Sequence, residues 1–324
     1  MAGRGLGQLF ARKSIEQMHA ENQSGELKKS LGAVNLVLLG IGCIIGTGIF
    51  VLTGRAAAEF AGPGIMISFV ITGVLCALVA ICYSELAAAI PVSGSAYSYS
   101  YASLGEFVAW IMGVLLLLEY GVAASTVAVG WSGYTTSLLH DLGINLPAAL
   151  TAAPGVEVTD PVTGAVVIGV MNVPAFVGIC AVTALLTLGI SESANVNNIV
   201  VAIKVTVVVA FIVIGFFYVN PANWSPLIPD QVPAPPPGSD MSVFGQIWTA
   251  LGNVVTGQSR DSAYGVGGLI AAASTIFFAY IGFEAVSTAG AEAKNPARDM
   301  PIGILGSLII CTILYILTCA VLVG

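Results

Sequence analysis

Gly40-Ile41-Gly42-Cys43-Ile44-Ile45-Gly46-Thr47-Gly48 lies inside the first long apolar run of the chain, Leu31–Thr53. Each of its four glycines costs roughly 1 kcal/mol against alanine in a helix interior. Hydrocarbon cannot satisfy an opened backbone, so a break here is tolerated only where it faces protein or a cavity. A break creates two half-helices, and the second begins with free N–H groups and the positive end of a helix dipole. Such an end suits a carboxylate. Close packing of two straight helices through small residues explains the same glycines, and from this stretch alone both readings stand.

The surrounding sequence makes lipid the solvent. The chain has 324 residues, 57% hydrophobic and 8% charged, with a mean hydropathy of +0.94. A soluble domain carries about 25% charged residues. A helix needs about 20 apolar residues to cross the hydrocarbon layer. Seven segments qualify: Leu31–Thr53, Pro63–Ile90, Phe107–Leu139, Val173–Ile190, Ile199–Val219, Tyr264–Ala289 and Ile302–Val323. The runs are continuous rather than alternating, which excludes strands. Met1–Ser30 is polar and mixed in charge, with no early apolar core of a cleavable signal. The six cysteines sit in apolar runs without metal-ligand spacing and read as small core thiols. His19 and His140 lie outside the spans, so neither a metal cluster nor a catalytic dyad is expected in the membrane.

Basic residues set the orientation. Arg4, Arg12, Lys13, Lys28 and Lys29 precede the first span, and Lys294 and Arg298 separate the sixth from the seventh. With the N-terminus in the cytoplasm both clusters fall inside, leaving Arg55 and Arg260 outside. The long loops His140–Asn172 and Asn220–Ala263 then face outward, as lids or spacers. The second contains Pro233–Gly238 (PAPPPG), expected to be extended. The last span stops at Val323–Gly324 without a polar flank, so the sequence reads as a piece of a longer protein.

The sixth span repeats the interrupted theme in Phe277-Phe278-Ala279-Tyr280-Ile281-Gly282-Phe283-Glu284. Two interrupted helices in separate spans are the pattern of a transporter built from inverted repeats. Three ionisable residues lie within spans, where charge costs about 2.5–3.5 kcal/mol. Glu119 is roughly 20 Å along its helix at 1.5 Å per residue, too deep to reach water along its own stem. Glu284 serves either as a cap of the broken helix or as a functional acid. Lys204 lies near the cytoplasmic end of its run, where snorkelling competes with a functional role. Glu85, one turn from Pro91, reads as interfacial.

At these residues the chain resembles the amino acid–polyamine–organocation transporters, and within them the bacterial relatives of cationic amino acid transporters. The resemblance covers nearly the whole chain. It rests on GIGCIIGTGIFVLTG (Gly40–Gly54), AGPG (Ala61–Gly64), YSELAAAIPVSGSAYSYSY (Tyr83–Tyr101), LEYGVAASTVAVGWSGY (Leu118–Tyr134) and FFAYIGFEAVSTAGAEAKNPARDMPIGI (Phe277–Ile302). It implies an all-α integral membrane protein with the five-plus-five inverted-repeat fold of the leucine transporter. Residues 1–30 would be a cytoplasmic segment, 31–219 the first five-helix repeat, 220–263 an outer Pro-rich loop, and 264–324 the first two helices of the second repeat. The family has twelve or more spans, so the remaining helices of the second repeat are absent from the seven counted here.

The resemblance also implies a site. The substrate carboxylate would bind at Ile44, Gly46, Thr47 and Gly48, and its amino group at the carbonyls of Phe278, Ala279 and Ile281, with Phe278 as an aromatic gate. Lys204 matches the lysine that replaces a sodium ion in proton-driven relatives; its charged form would bond carbonyls near Gly42. Glu119, Thr126, Ile45 and Phe278 would set side-chain selectivity; Glu284, read from the sequence alone, stays open between a cap of the broken helix and a gating or proton-linked acid. The expected activity is proton-coupled uptake of small neutral or cationic amino acids by alternating access, in a bacterial inner membrane. No cofactor, metal or nucleic-acid partner is expected. Sodium coupling or amino-acid exchange is the alternative within transport. A seven-helix receptor with Lys204 as a Schiff-base site is the distant one, against which the charge bias speaks.

Overall fold

The computed structural model describes residues 11–18, 29–160, 162–188, 190–232 and 264–324; for 188 and 190–198 it describes the backbone alone. Arg4, His19, Lys28, Arg260 and the Pro233–Gly238 stretch lie outside the described residues. The chain is predominantly helical. In order, the main helices are α1 (Ala33–Ile44), α2 (Ile65–Ala89), α3 (Ser95–Ser103), α4 (Glu106–Asp141), α5 (Val173–Leu188), α6 (Ile190–Phe216), α7 (Gly265–Ile276) and α8 (Pro296–Val323). A two-stranded antiparallel hairpin, β1 (Glu157–Thr159) with β2 (Val166–Ile168), lies between α4 and α5.

Among the described residues, five helical stretches are long and apolar enough to cross a membrane: Gly48–Ala89, Glu106–Asp141, Ile199–Phe216, Gly265–Glu292 and Pro296–Val323. Two shorter apolar helices, Ala33–Ile44 and Val173–Thr187, add to them. The first span is interrupted and longer than its apolar run suggests. After α1, π-helical Gly48–Leu52, an α-turn at Thr53–Ala56 and π-helical Ala57–Ala61 carry it to Ala61. Thr53 does not end it, because alanines follow and Arg55 pairs with Glu59 one turn on at 3.0 Å. The stop comes at Gly62-Pro63, where Gly62 adopts φ +55, a conformation glycine reaches without strain.

The chain forms two compact units, residues 1–114 with 200–324, and residues 115–199; α4 and α6 each run from one into the other. In the larger unit, α8 packs on α2 and α1, and α7 packs on α2. One stripe of α8 is fully buried: Met300, Ile304, Leu308, Cys311, Tyr315 and Cys319, spaced three or four apart. Small residues bring α1 and α8 together. A Cβ at Gly40 would lie 2.3 Å from Ser307 Oγ, and one at Gly303 would lie 2.7 Å from Leu36 Cβ. Ser68 donates to the Leu269 carbonyl at 2.9 Å, joining α2 to α7. Cys76, Cys311 and Cys319 are core thiols as expected, whereas Cys43, Cys82 and Cys180 are exposed.

The segment ahead of α1 is tied down at the same end of the unit. Ser14 and Gln17 form a reciprocal cap, each backbone N–H bonded to the other's side chain at 3.2 Å. Met18 is buried, and the Ala11 carbonyl accepts from Glu106 N–H at 3.0 Å. Leu31 forms a parallel bridge with Ala293: Leu31 N–H donates to Glu292 O at 3.0 Å and Lys294 N–H to Leu31 O at 2.8 Å.

In the smaller unit, α5 meets α4 where Gly178 packs on the Trp131 ring. Asn172 caps α5, its Oδ1 accepting from Ala175 N–H at 3.0 Å while its Nδ2 donates to Ser132 Oγ at 2.8 Å. The hairpin turn is closed by Asp160, whose Oδ1 accepts from Val162 N–H at 2.8 Å and Thr163 N–H at 2.9 Å. These bonds hold the Asp160 carboxyl below the usual carboxylate range. The His140–Asn172 loop therefore contains ordered β structure that its sequence did not announce.

Candidate functional site

Two broken helices meet in the larger unit. α1 ends because Ile45 is extended, with φ −72° and ψ 106°, and the chain re-enters a helix only at Gly48. The sixth span breaks through a 3-10 turn, Phe277–Tyr280, an extended Ile281 and Gly282 at φ +109, before continuing as 3-10 helix over Glu284–Glu292. Glycines let the breaks touch. A Cβ at Gly48 would stand 2.3 Å from Ala279 Cα, and a Cβ at Gly282 would stand 2.8 Å from the Cys43 carbonyl oxygen. A Cβ at Gly46 meets nothing within 4 Å, so this glycine borders open space.

A helix C-terminus leaves its last carbonyls without intrahelical donors and carries the negative end of the dipole. At α1 the Gly42 and Ile44 carbonyls are met from elsewhere in the fold, while Ile41 O keeps a donor of its own helix. Ile41 O takes the Ile45 N–H at 3.0 Å. Lys204 of α6 donates from Nζ to Gly42 O and, at 2.8 Å, to Ile45 O. The Tyr315 hydroxyl lies 2.9 Å from Ile44 O and 3.0 Å from Ala279 O. Having one proton, it shares it between the two breaks. An intramembrane lysine thus stands at the negative end of a half-helix, which accounts for an ammonium among apolar residues.

On the other side of the break the first amides of the Gly48 helix belong to a helix start. Thr47, beside them, has its Oγ1 buried without a hydrogen-bond partner among the described residues. Thr53 Oγ1 donates to Gly48 O at 3.0 Å and steadies the π-helical turn. Across the gap, Phe278 is half-buried and its carbonyl accepts the Ile281 N–H at 3.3 Å. Ala279 O keeps a second lone pair beyond the one facing Tyr315. Glu284 is buried, and its Oε2 accepts the Gly282 N–H at 3.0 Å, so it caps the broken backbone. Behind the breaks Tyr280 and Tyr315 stack edge-on at 5.6 Å, each also against Phe69, and the Tyr280 hydroxyl donates to Phe69 O at 3.1 Å.

The structure therefore brings together Gly42, Ile44, Ile45, Gly46, Thr47, Gly48, Lys204, Phe278, Ala279, Ile281 and Glu284. Glu119 and Thr126 belong to the smaller unit. They lie two turns apart on one face of α4, both half-buried, with Thr126 Oγ1 bonded to Val122 O at 2.9 Å. Tyr315 is the residue that sequence reasoning missed. The available signal was a single phenol on the buried α8 stripe, since a buried tyrosine hydroxyl needs an acceptor.

A family model described as amino acid permease matches residues 35–324. The chain is 48% identical over 320 residues to the branched-chain amino acid permease BcaP of Bacillus subtilis, covering 98% of this chain and 60% of that protein. It is 44% identical over 319 residues to the methylthioribose transporter of the same organism, again covering 98% and 60%. Against cationic amino acid transporter 4, vacuolar, of Arabidopsis thaliana the identity is 36% over 323 residues, covering 98% and 47%. The chain thus spans about 60% of the length of the two bacterial relatives. Paired broken helices in a set of apolar spans, with these matches along nearly all its length, make this chain a multi-pass membrane protein that belongs to the amino acid permease family, with its leucine-transporter-like fold.

Proposed function

We propose that the chain carries the substrate site and the proton-linked lysine of a secondary active amino-acid transporter. The observation behind this reading is the Lys204 ammonium on the Gly42 and Ile45 carbonyls, at the break that faces Ala279. The amides and hydroxyl at Gly46–Gly48 suit a carboxylate, and the open carbonyl positions at Phe278, Ala279 and Ile281 suit an ammonium. Charged Lys204 holds the end of α1. Loss of its proton removes the charge from those two bonds, which frees the inner half of the first span to move. Each bond to a charged donor contributes about 1.5–3 kcal/mol, enough to bias a two-state gate.

In this reading residues 31–219 form one five-helix repeat and 264–324 open the second. The N-terminus lies in the cytoplasm of a cell whose bounding membrane holds the protein. Substrates are small neutral or cationic amino acids, and the part in side-chain selectivity that the resemblance gives Glu119 and Thr126 is left to substitution. The test is uptake into proteoliposomes by the full-length protein and its Lys204→Met form. Wild type should concentrate labelled alanine or arginine under a pH gradient alone, and Lys204→Met should not, while still inserting and binding. A mutant that accumulates substrate under that gradient overturns the coupling role. Wild-type accumulation only with a sodium gradient, or only with substrate preloaded inside, selects sodium coupling or exchange. Unlabelled leucine and methylthioribose as competitors place the chain among the activities for which its bacterial relatives are named.

A further inference from the structure

The second half of the sixth span is nine residues of 3-10 helix, Glu284–Glu292. Runs of this form beyond three or four residues are uncommon, and within a longer helix they mark hinges or strain. Side chains three apart eclipse in a 3-10 helix, so Glu284, Ser287 and Gly290 fall in one row. All three are buried. The row is docked along its length. Glu284 Oε2 accepts the Gly282 N–H at the break. Ser287 Oγ donates to Ser95 Oγ at 2.6 Å, at the start of α3. Gly290 meets the α2–α3 connection, where a Cβ would lie 3.2 Å from Val92 O and 3.3 Å from Pro91 Cα. Beyond the row, Glu292 O accepts the Leu31 N–H. Ser95 carries the second signal. It is the first residue of α3 and is buried, with φ +48, a left-handed conformation that strains a residue with a Cβ. Such a conformation persists only where its surroundings hold it, and it gathers at switches. Here the Ser287 hydroxyl is the hold.

We propose that Glu284–Glu292 is a two-state segment, held as 3-10 helix here by the Ser287–Ser95 bond and passing to α-helix when that bond breaks. The change follows from the geometry of the two helices. At 3.6 rather than 3.0 residues per turn, Ser287 turns by about 60° and Gly290 by about 120° relative to Glu284, which takes both off α3 and its connection. At 1.5 rather than 2.0 Å per residue, the segment shortens by roughly 4 Å. Its far end is bridged to Leu31, so the shortening draws the Gly282 break along the span. Ser95 is then released to an ordinary backbone conformation. The inference rests on the alternating-access reading, for which it supplies a moving part, but its test needs no transport.

The test is hydrogen exchange of the full-length protein in detergent, read on peptides spanning the start of α3. Ser287→Ala should speed exchange there at least about fivefold, the low end for a buried hydroxyl left without its partner. Ser95→Ala and Ser95→Gly both delete the bond, but only alanine keeps the strain. Ser95→Ala should therefore exchange faster than Ser95→Gly, the reverse of the usual order of these two residues in a helix. Thr288→His combined with Glu292→His tests the α form directly. Positions four apart stand about 120° apart around a 3-10 helix and about 40° apart around an α-helix. Zinc ions bridging the pair should thus favour the α-helix and speed exchange at α3 to the Ser287→Ala level. Wild-type exchange in Ser287→Ala, the usual order at position 95, or zinc that leaves α3 unchanged overturns the switch. Wild-type protein that takes up no amino acid but passes these tests loses the transport reading and keeps the switch.

Discussion

Replacing Gly48 by alanine places a methyl carbon 2.3 Å from Ala279 Cα and 2.4 Å from its Cβ. Carbon atoms rest at about 3.5 Å or more, so the two breaks must part by roughly 1.2 Å at this point. Both partners are main chain or a short side chain, and neither can rotate away. Tyr315 spans the same gap, 2.9 Å from Ile44 O and 3.0 Å from Ala279 O. Adding the displacement to either distance takes it to about 4 Å, beyond hydrogen-bond range. One lost bond costs about 1 kcal/mol and overpacking about 1–3 kcal/mol, so Gly48→Ala should destabilise the assembled breaks by about 2–4 kcal/mol. A site that exists only when the breaks are in contact then loses roughly 30- to 700-fold in affinity. Gly46→Ala is the internal control, because its methyl meets nothing within 4 Å. It should leave the unfolding midpoint unchanged yet lower affinity at least tenfold, since the new methyl stands in the open space beside the amides. Thermal unfolding and equilibrium binding of labelled alanine, on both full-length variants, separate the effects. A Gly48→Ala protein with wild-type midpoint and affinity within twofold would refute the contact between the breaks, and unaltered binding by Gly46→Ala would remove its amide from the site.

Tyr315→Phe keeps the buried ring and deletes the shared hydroxyl, so stability should fall by about 1–2 kcal/mol, and substrate affinity should fall with it in a binding assay. Glu119→Gln removes a charge while keeping shape. If Glu119 lines the pocket ionised, arginine competition should weaken at least a hundredfold, as for a broken buried pair worth about 3–5 kcal/mol, with alanine competition little changed. An identical competition profile for alanine, arginine and glutamate between pH 5 and 8 would exclude Glu119 from the pocket. The Asp160 turn should be acid-sensitive: its carboxyl lies below the ordinary range because Thr163 and Val162 N–H groups bond the charged form. That contribution is present above the unfolded-state value and lost as pH falls through the folded one. Hydrogen exchange at Val162 and Thr163, corrected for intrinsic rate, should lose protection only at pH values below those at which an ordinary aspartate protonates.

The break in the first span was legible because glycine cost in lipid is a local property, and Gly40–Gly48 concentrates it. Lys204 was legible as an anomaly, though its partners were not: Gly42 and Ile45 lie some 160 positions earlier, and only the family resemblance linked them. The roles of Gly46 and Gly48 looked alike in sequence, yet one faces open space and the other faces Ala279. That distinction depends on what the opposite helix places there, which no local pattern encodes. Tyr315 was unreadable for a related reason. A tyrosine in an apolar span is ordinary, and its importance comes from two carbonyls supplied by two other helices. The end of the first span was misjudged at Thr53, because apolarity falls at Arg55 while helical backbone continues to Gly62. α3 and the β1–β2 hairpin escaped notice because serine-rich and short valine-rich stretches carry too little periodicity to read.

The partners of the first span also arrive late during synthesis. Lys204, Ala279 and Tyr315 follow Ile45 in the chain, and the Leu31 bridge waits for Glu292 and Lys294. Ribosomes add about 5–20 residues per second, so the bridge partner emerges roughly 13 to 50 s after Leu31. Lys204 follows Ile45 by 159 residues, roughly 8 to 32 s, and until then an opened backbone at Ile45–Gly46 lacks the ammonium that bonds its carbonyls. The bonds that hold the interruption in the mature fold therefore form only after Lys204, Ala279 and Tyr315 have been made. The interruption is thus held by residues the first span does not itself contain.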